Sequence, residues 1–179
     1  AELQSHFVVD VERSSEQALV GQLTQFTDIA VHAGSGSSGA PSVVYETIWY
    51  LGAILHELVL HRLGRTERRT DDGRVLEWSP DPDAATLANV AIDRIRQVAA
   101  PEPAMALELV RVLVDVRRAA ARAGRDGLVD VLDHQADLIV EQCRRTDPLP
   151  TDLERVVAAR HGGRHVDLMA ERDEEYATA

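Results

Sequence analysis

The chain has 179 residues, of which 45% are hydrophobic and 4% aromatic, so it can bury a core built mainly of aliphatic side chains. Its formal net charge of −11 repels a phosphate backbone and argues against nucleic acid as a partner. The single cysteine, Cys143, excludes an internal disulfide framework and a cysteine-rich zinc site.

The longest apolar stretch, residues 43–60, is interrupted by Glu46, His56 and Glu57. A membrane span needs ~20 predominantly apolar residues, so three ionisable groups make this stretch a poor candidate. The opening segment AELQSHFVVDVERSSEQ lacks the basic and apolar regions of a signal peptide. We therefore expect the chain as given to be soluble, and either cytoplasmic or held at a membrane by a segment that it does not contain.

The first elements predicted are a short extended piece at residues 6–11 and a helix that follows it. Ser14 followed by Gln17 has the spacing of a capping box, which marks the start of that helix. Its apolar stripe at helical period consists of Leu19, Leu23, Phe26 and Ala30. The glycine-rich loop AGSGSSGAP, residues 33–41, should end it.

A second, long helix is predicted from about Ser42 to Leu63, with Gly64 as its C-terminal cap. A polar segment follows, in which Asp72-Gly73 indicates the turn of a short β-hairpin. The run at residues 80–83 ends this segment and caps a third helix.

Four further helices complete the chain, each recognised by its apolar stripe or its end signals. The stripes consist of Leu87, Ala91, Ile95 and Val98 in the third helix, Met105, Leu109, Val112 and Val116 in the fourth, and Leu128, Leu132, Ile139 and Cys143 in the fifth. Gly124 and Gly127 bracket the turn before the fifth helix, and Thr151 or Asp152 caps a last helix that ends at Arg160.

Short connections between successive helices favour antiparallel neighbours. The sequence therefore predicts an all-α fold, a bundle of five to six mostly antiparallel helices with one short β-hairpin between the second and third. We expect residues 1–161 to form a single domain and residues 162–179 to be a flexible acidic tail.

The stretch HELVLH, residues 56–61, resembles the start of a zinc-protease motif but differs in its spacing. The motif H-E-x-x-H places two histidines four residues apart on one helix face. His56 and His61 are five residues apart, which turns them about 140° from one another. Two such imidazoles cannot close on one tetrahedral ion from an unbroken helix, so His56, Glu57 and His61 remain only a weak metal alternative.

The fifth helix carries a second possible metal-binding set, formed by Asp130, Asp133, His134, Asp137 and Glu141 within a sector of about 100°. That sector lies opposite the apolar stripe, where an amphipathic helix has a solvated face in any case. We interpret it as surface and predict no cofactor. Asp130, His134 and Asp137 are the residues that a metal-dependent hydrolase would use here.

Positive charge is concentrated in Arg62, Arg65, Arg68 and Arg69, near the end of the second helix. Arginines at that end complement the helix dipole, which is a structural reason for some of them. The group could also contact a phosphate, a lipid head group or an acidic protein. We predict it as the interaction site.

The glycine-rich loop contains G-x-G-x-x-G at Gly34, Gly36 and Gly39, but it follows a helix and no βαβ unit surrounds it. No G-x-S-x-G elbow places a serine as nucleophile. These patterns therefore indicate no dinucleotide site and no serine hydrolase.

Three segments form a recognisable set: the ER-x-x-x-Q stretch beginning at Glu12, the triplet at residues 28–30, and QADLIVE at residues 135–141. They resemble the soluble C-terminal region of the bacterial predicted membrane proteins called domain of unknown function 2254. The resemblance covers roughly residues 8–161. Relatives typically carry an Asn-Asp pair where this chain has Gly39-Ala40, so any role of that pair should be lost here. The resemblance implies a helical domain at a membrane surface and supplies no reaction.

We therefore expect a non-catalytic helical interaction or scaffold module that is oligomeric and works beside a membrane. Its partners would be further copies of itself, another protein or an anionic membrane surface. The alternative is a metal-dependent hydrolase that uses His56 and His61 or the face from Asp130 to Asp137. A third possibility is a sensor that holds a small molecule between its helices.

Overall fold

Six helices make up nearly all of the structure, a computed structural model that describes residues 15–35, 40–60, 67–69, 75–77 and 84–162. In chain order they are α1 (Ser15–Ser35), α2 (Pro41–Leu60), α3 (Ala84–Ala99), α4 (Pro103–Arg122), α5 (Asp126–Arg144) and α6 (Pro150–Arg160). The predicted all-α, bundle-like fold is confirmed. The predicted piece at residues 6–11, the cap at Ser14 and the tail beyond Gly162 lie outside the described residues.

Two three-residue segments, β1 (Glu67–Arg69) and β2 (Val75–Glu77), run antiparallel between α2 and α3, with Arg68 opposite Leu76. Within the described parts of the chain they contact one another and no helix. They add no sheet layer to the core, so the domain is all-α. The predicted turn at Asp72-Gly73 is outside the described residues.

Helix α4 lies at the centre of the bundle, because it contacts α2, α3, α5 and α6. Helix α1 packs on α2 and α3 alone among the described elements. Side chains from all six helices form one buried cluster, which includes Leu23, Ile48, Ile92, Leu109, Ile139 and Val156. Burial of these aliphatic groups drives the association of the helices.

A glycine, Gly52, permits a close approach of α2 to α4. A Cβ atom added to Gly52 would lie 2.8 Å from Val112 Cγ1, which is closer than such atoms come in real proteins. At the C-terminal end of α4, Gly124 adopts a φ of +66°. The Arg125 amide there donates to the Ala120 carbonyl, and the Gly124 amide to that of Ala121, so the helix ends in a Schellman motif.

Two predicted helix ends differ from the structure. The first helix continues through Gly34 to Ser35 instead of stopping where the glycine-rich loop begins. The last helix has Leu149 as its N-cap and Pro150 at its first turn, and no side chain caps it, so the prediction of Thr151 or Asp152 is wrong. Proline suits the first helical position because its missing N–H would have no partner there.

Candidate interaction surface

The outer face of α1 carries no acidic residue, lysine or arginine within the described stretch 20–34. Its exposed residues are Gln22, Gln25, Ile29, His32 and Gly34. The one acidic residue of this stretch, Asp28, is half-buried and pairs with Arg94 of α3 at 2.6 Å. The exposed residues of this face therefore include no carboxylate and no guanidinium, in a chain where 27% of residues are charged.

Helix α2 extends this surface with an exposed aromatic ring. Tyr50 is 59% exposed, and its ring meets that of Phe26 edge-on, at 6.5 Å between centroids and 82° between planes. Ile29 lies one turn after Phe26 on α1 and is 57% exposed. Ala53 follows Tyr50 on the outside of α2 and adds no charge.

We call this surface the α1–α2 face, formed by Gln22, Gln25, Ile29, His32, Tyr50 and Ala53. Four large hydrophobic side chains are exposed in the described part of the chain, and two of them, Ile29 and Tyr50, lie in this face. Leu60 extends the same side of α2 at its C-terminal end, whereas Leu149 lies apart at the start of α6. Glu46 and Glu57 on α2 border the face.

The other large aromatic side chains of α2 are turned towards α4. Trp49 Nε1 donates a hydrogen bond of 2.9 Å to Glu108 Oε1, and Arg111 Nη1 lies 3.5 Å from the other carboxylate oxygen. Burial, and then the negative charges of Glu102 and Glu108, raise the pKa of Tyr45 above its ordinary value. Glu108 therefore holds two helices together, and Tyr50 is left as the outward-facing ring.

The predicted zinc-type residues are only partly described. His56 is half-buried and Glu57 is exposed on α2, while His61 lies outside the described residues. Across the described ranges no three His, Cys, Asp or Glu side chains are arranged to hold a metal ion.

The acidic side of α5 is tied to arginines from two other helices. Arg117 Nε on α4 donates to both carboxylate oxygens of Asp133 at 2.9 Å. Arg160 on α6 donates to Asp133 at 2.9 Å and to Asp137 at 2.7 Å. The sequence places these acids on one face of α5. Their arginine partners lie 16 to 27 residues away in the chain, so the spacing of residues within α5 could not identify them. Asp130 and His134 are exposed.

The predicted interaction arginines, Arg62, Arg65, Arg68 and Arg69, are not placed as a group. Arg62 and Arg65 lie outside the described residues, and for Arg68 and Arg69 the structure describes only their backbone in β1. This site therefore remains a prediction.

Gln135 is a polar side chain buried inside the bundle. This residue is 1% exposed and lies between α5 and α3, where its amide contacts Asn89, Asp93 and Arg96. Every buried side-chain polar atom in the described part of the chain has a hydrogen-bond partner. Gln135 and its three partners thus join α5 to α3, and the polar atoms of the buried amide are hydrogen-bonded to the side chains of these partners.

Helix α2 is the one described helix that is long and apolar enough to cross a membrane. A core helix of a soluble protein has the same properties, and 44% of the apolar stretch of α2 is buried inside the bundle. Val44, Ile48, Leu51 and Leu55 are fully buried there. Packing against α1, α3 and α4 therefore accounts for its composition.

Comparison with known proteins agrees with the resemblance seen in the sequence. The family described as "Predicted membrane protein (DUF2254)" matches residues 1–115. This span contains α1 to α3 and most of α4, and the QADLIVE segment of α5 lies beyond it. No curated protein and no solved structure matches the chain. The match covers more than half of the 179 residues, and the chain belongs to the DUF2254 family of predicted membrane proteins.

Proposed function

We propose that this domain is a non-catalytic interaction module and that it associates with a second copy of itself through the α1–α2 face. The observation that carries the proposal is the exposure of Ile29 and Tyr50, 57% and 59%, on two helices that pack together, with the exposed acids Glu46 and Glu57 one turn before Tyr50 and one turn after Ala53. The centres of protein interfaces are depleted in charged residues and enriched in aromatic ones. Tyrosine in particular buries a large area at small entropic cost.

Charge favours a second copy at this face over other surfaces of the molecule. With a net charge of −11, two copies repel one another over most approaches. Acids on α4, α5 and α6 are interleaved with arginines, and desolvating such pairs is costly. The α1–α2 face carries fewer charges than these surfaces, with Glu46 and Glu57 at the two ends of its α2 part.

We further propose that the module works beside a membrane without inserting α2 into it. Membership of a family of predicted membrane proteins supports a location at the bilayer. The acids Glu46 and Glu57 on the outside of α2 oppose insertion of that helix, since a carboxylate in the hydrocarbon core is costly. Removing Leu51 and Leu55 from the bundle would also expose its core.

Light scattering coupled to size exclusion tests the self-association directly. The full chain should elute as a dimer or a higher assembly, and the double variant Ile29→Ser, Tyr50→Ser should elute as a monomer of unchanged helicity. Leu149→Ser removes an equally exposed hydrophobic side chain, 69% exposed, from the start of α6 and should leave the assembly intact. A wild-type chain that stays monomeric at high concentration contradicts the proposal.

Elemental analysis of the purified protein separates this function from a metal-dependent hydrolase. We expect no stoichiometric zinc, manganese or iron. Stoichiometric metal that is lost from His56→Ala, or from Asp130→Ala combined with His134→Ala, would favour the hydrolase. These side chains are half-buried or exposed, so the substitutions should leave the fold intact.

A further inference from the structure

A cavity of about 300 Å³ lies between α4 and the end of α6, on a different side of the bundle from the α1–α2 face. Its lining consists of Val114, Arg117, Arg118, Arg160, His161 and Gly162. Three guanidinium groups and an imidazole are therefore present, and none of the lining residues is acidic. The three arginines are each paired with an aspartate outside the lining.

The carboxylates that balance these arginines also fix their positions. Asp133 accepts both hydrogen bonds from Arg117 Nε, at 2.9 Å each. Arg160 uses Nε for Asp137, Nη1 for the Asp133 carboxylate and Nη2 for the Asp133 carbonyl oxygen. The hydrogen bond to Asp137 is the main cause that raises the pKa of Arg160, so this guanidinium stays charged.

Two of the arginines keep donors that the described residues do not use. Arg117 engages only Nε, so its Nη1 and Nη2 have no partner within the described part of the chain. Arg118 donates through Nη1 to Asp115 at 3.1 Å, and its Nη2 is likewise unused by any described residue. The two arginines that line the cavity therefore have three guanidinium nitrogens that no described residue uses.

The turn after α6 leaves space for the Arg118 guanidinium. Gly162 has a φ of +85°, which favours glycine, and it follows the C-cap residue His161. A Cβ atom at position 162 would lie 3.0 Å from Arg118 Nη2. The glycine therefore lets the chain pass close to the guanidinium, which remains in the wall of the cavity.

We propose that this cavity binds a small anion that carries a phosphate group. Guanidinium nitrogens match phosphate oxygens in pairs, and such charge-assisted hydrogen bonds are stronger than neutral ones. Arg117 and Arg118 would donate to the phosphate, His161 would lie at its edge, and Arg160 would supply charge from behind. The volume suits a phosphate monoester or a lipid head group and is at the small end for an organic ligand.

The test is calorimetric titration of the full chain with inorganic phosphate at constant ionic strength. Saturable binding should weaken about tenfold in Arg118→Gln, which loses one charge-assisted interaction. Arg155→Gln is the matched control, because Arg155 also pairs with an aspartate three residues earlier, at 3.7 Å, but lies outside the cavity lining. Equal losses in both variants, or no saturable binding by the wild type, would overturn the proposal.

A second variant and a second probe complete the test. His161→Gln changes an exposed residue and should weaken phosphate binding even if Arg118→Gln folds poorly. Sedimentation with vesicles of phosphatidic acid, compared with phosphatidylcholine alone, distinguishes a lipid head group from a soluble phosphate. If either probe binds in a way that depends on Arg118, the proposal of a phosphate site is supported. If both variants bind both probes as the wild type does, the proposal is contradicted.

Discussion

Gln135 of α5 donates a hydrogen bond of 2.9 Å from Nε2 to Asp93 Oδ1 of α3, in the interior of the bundle. The same Nε2 donates to Asn89 Oδ1 at 2.7 Å, and Arg96 Nε donates to Gln135 Oε1 at 3.2 Å. Both ends of the amide are thus used. A glutamine that is 1% exposed would otherwise leave buried polar atoms unsatisfied, so this contact specifies how α3 and α5 align.

Replacing Gln135 should destabilise the domain more than an ordinary polar substitution. Gln135→Ala removes three hydrogen bonds and leaves Arg96 with fewer partners near the core, which should lower the free energy of unfolding by about 1–3 kcal/mol. Gln97→Ala, at an exposed position of α3, should change it by less than about 0.5 kcal/mol. Urea unfolding followed by circular dichroism measures both. Equal effects would show that the buried network adds nothing.

Alanine should have opposite effects on stability at two glycines, Gly127 in α5 and Gly52 where α2 approaches α4. Alanine has the higher helix propensity by up to about 1 kcal/mol, which should stabilise Gly127→Ala, because nothing lies within 4 Å of a Cβ there. In Gly52→Ala the new methyl would meet Val112 Cγ1 at 2.8 Å, and overpacking should cost about 1–3 kcal/mol.

A double variant tests the cause. Val112→Ala removes the atom that the new methyl would meet. This substitution should therefore lower the free energy of unfolding less in the Gly52→Ala variant than it does in the wild type. Additive costs would mean that the contact does not set the distance between the helices.

The predicted stripe matches the buried residues more closely in α5 than in α4. All four residues of the predicted α5 stripe, Leu128, Leu132, Ile139 and Cys143, are buried. In α4 only Leu109 and Val116 of the predicted stripe are buried, while Ala106, Val110 and Leu113 are buried as well. Helix α4 contacts four other helices and therefore buries more than one stripe. The periodicity of its own sequence does not reveal how many helices will surround it.

The candidate site was harder to predict, for a physical reason. Tyr50 and Ile29 look like ordinary members of amphipathic helices, and only the packing of α1 on α2 shows that both stay exposed and that Tyr50 meets Phe26 of α1. The arginines of the cavity are spread between positions 117 and 160, so no local pattern reveals that they meet. Long-range contacts carry this information, and spacing along one helix does not.

Stability should fall at alkaline pH through the protons of two side chains, the buried Cys143 and the half-buried Tyr45. Burial is the largest cause that raises the pKa of both the Cys143 thiol and the Tyr45 phenol, and nearby carboxylates add to it. The folded chain therefore holds these protons to higher pH than the unfolded chain, whose groups titrate near ~8.5 and ~10. Their contribution to stability is complete below the unfolded pKa values and is lost as the pH rises through the folded ones.

The urea midpoint measured between neutral and alkaline pH checks this sign. It should begin to decline above about pH 8.5 in the wild type, and Cys143→Ala should remove the earlier part of the decline. Native Cys143 should also react slowly with a thiol reagent until urea unfolds the bundle, because its thiolate is disfavoured. An unchanged midpoint throughout the range would contradict the argument.

The predicted interaction arginines give a test of membrane contact that does not depend on the α1–α2 face. Arg65→Ala combined with Arg68→Ala should weaken binding to vesicles containing phosphatidylserine, by about 1 kcal/mol for each arginine near the surface. Arg145→Ala with Arg155→Ala is the control, because it removes the same charge from exposed positions, 75% and 66%, elsewhere in the chain. If both pairs weaken binding equally, net charge alone governs it. If neither does, the cluster does not contact anionic membranes, and association beside the bilayer must rest on another part of the protein.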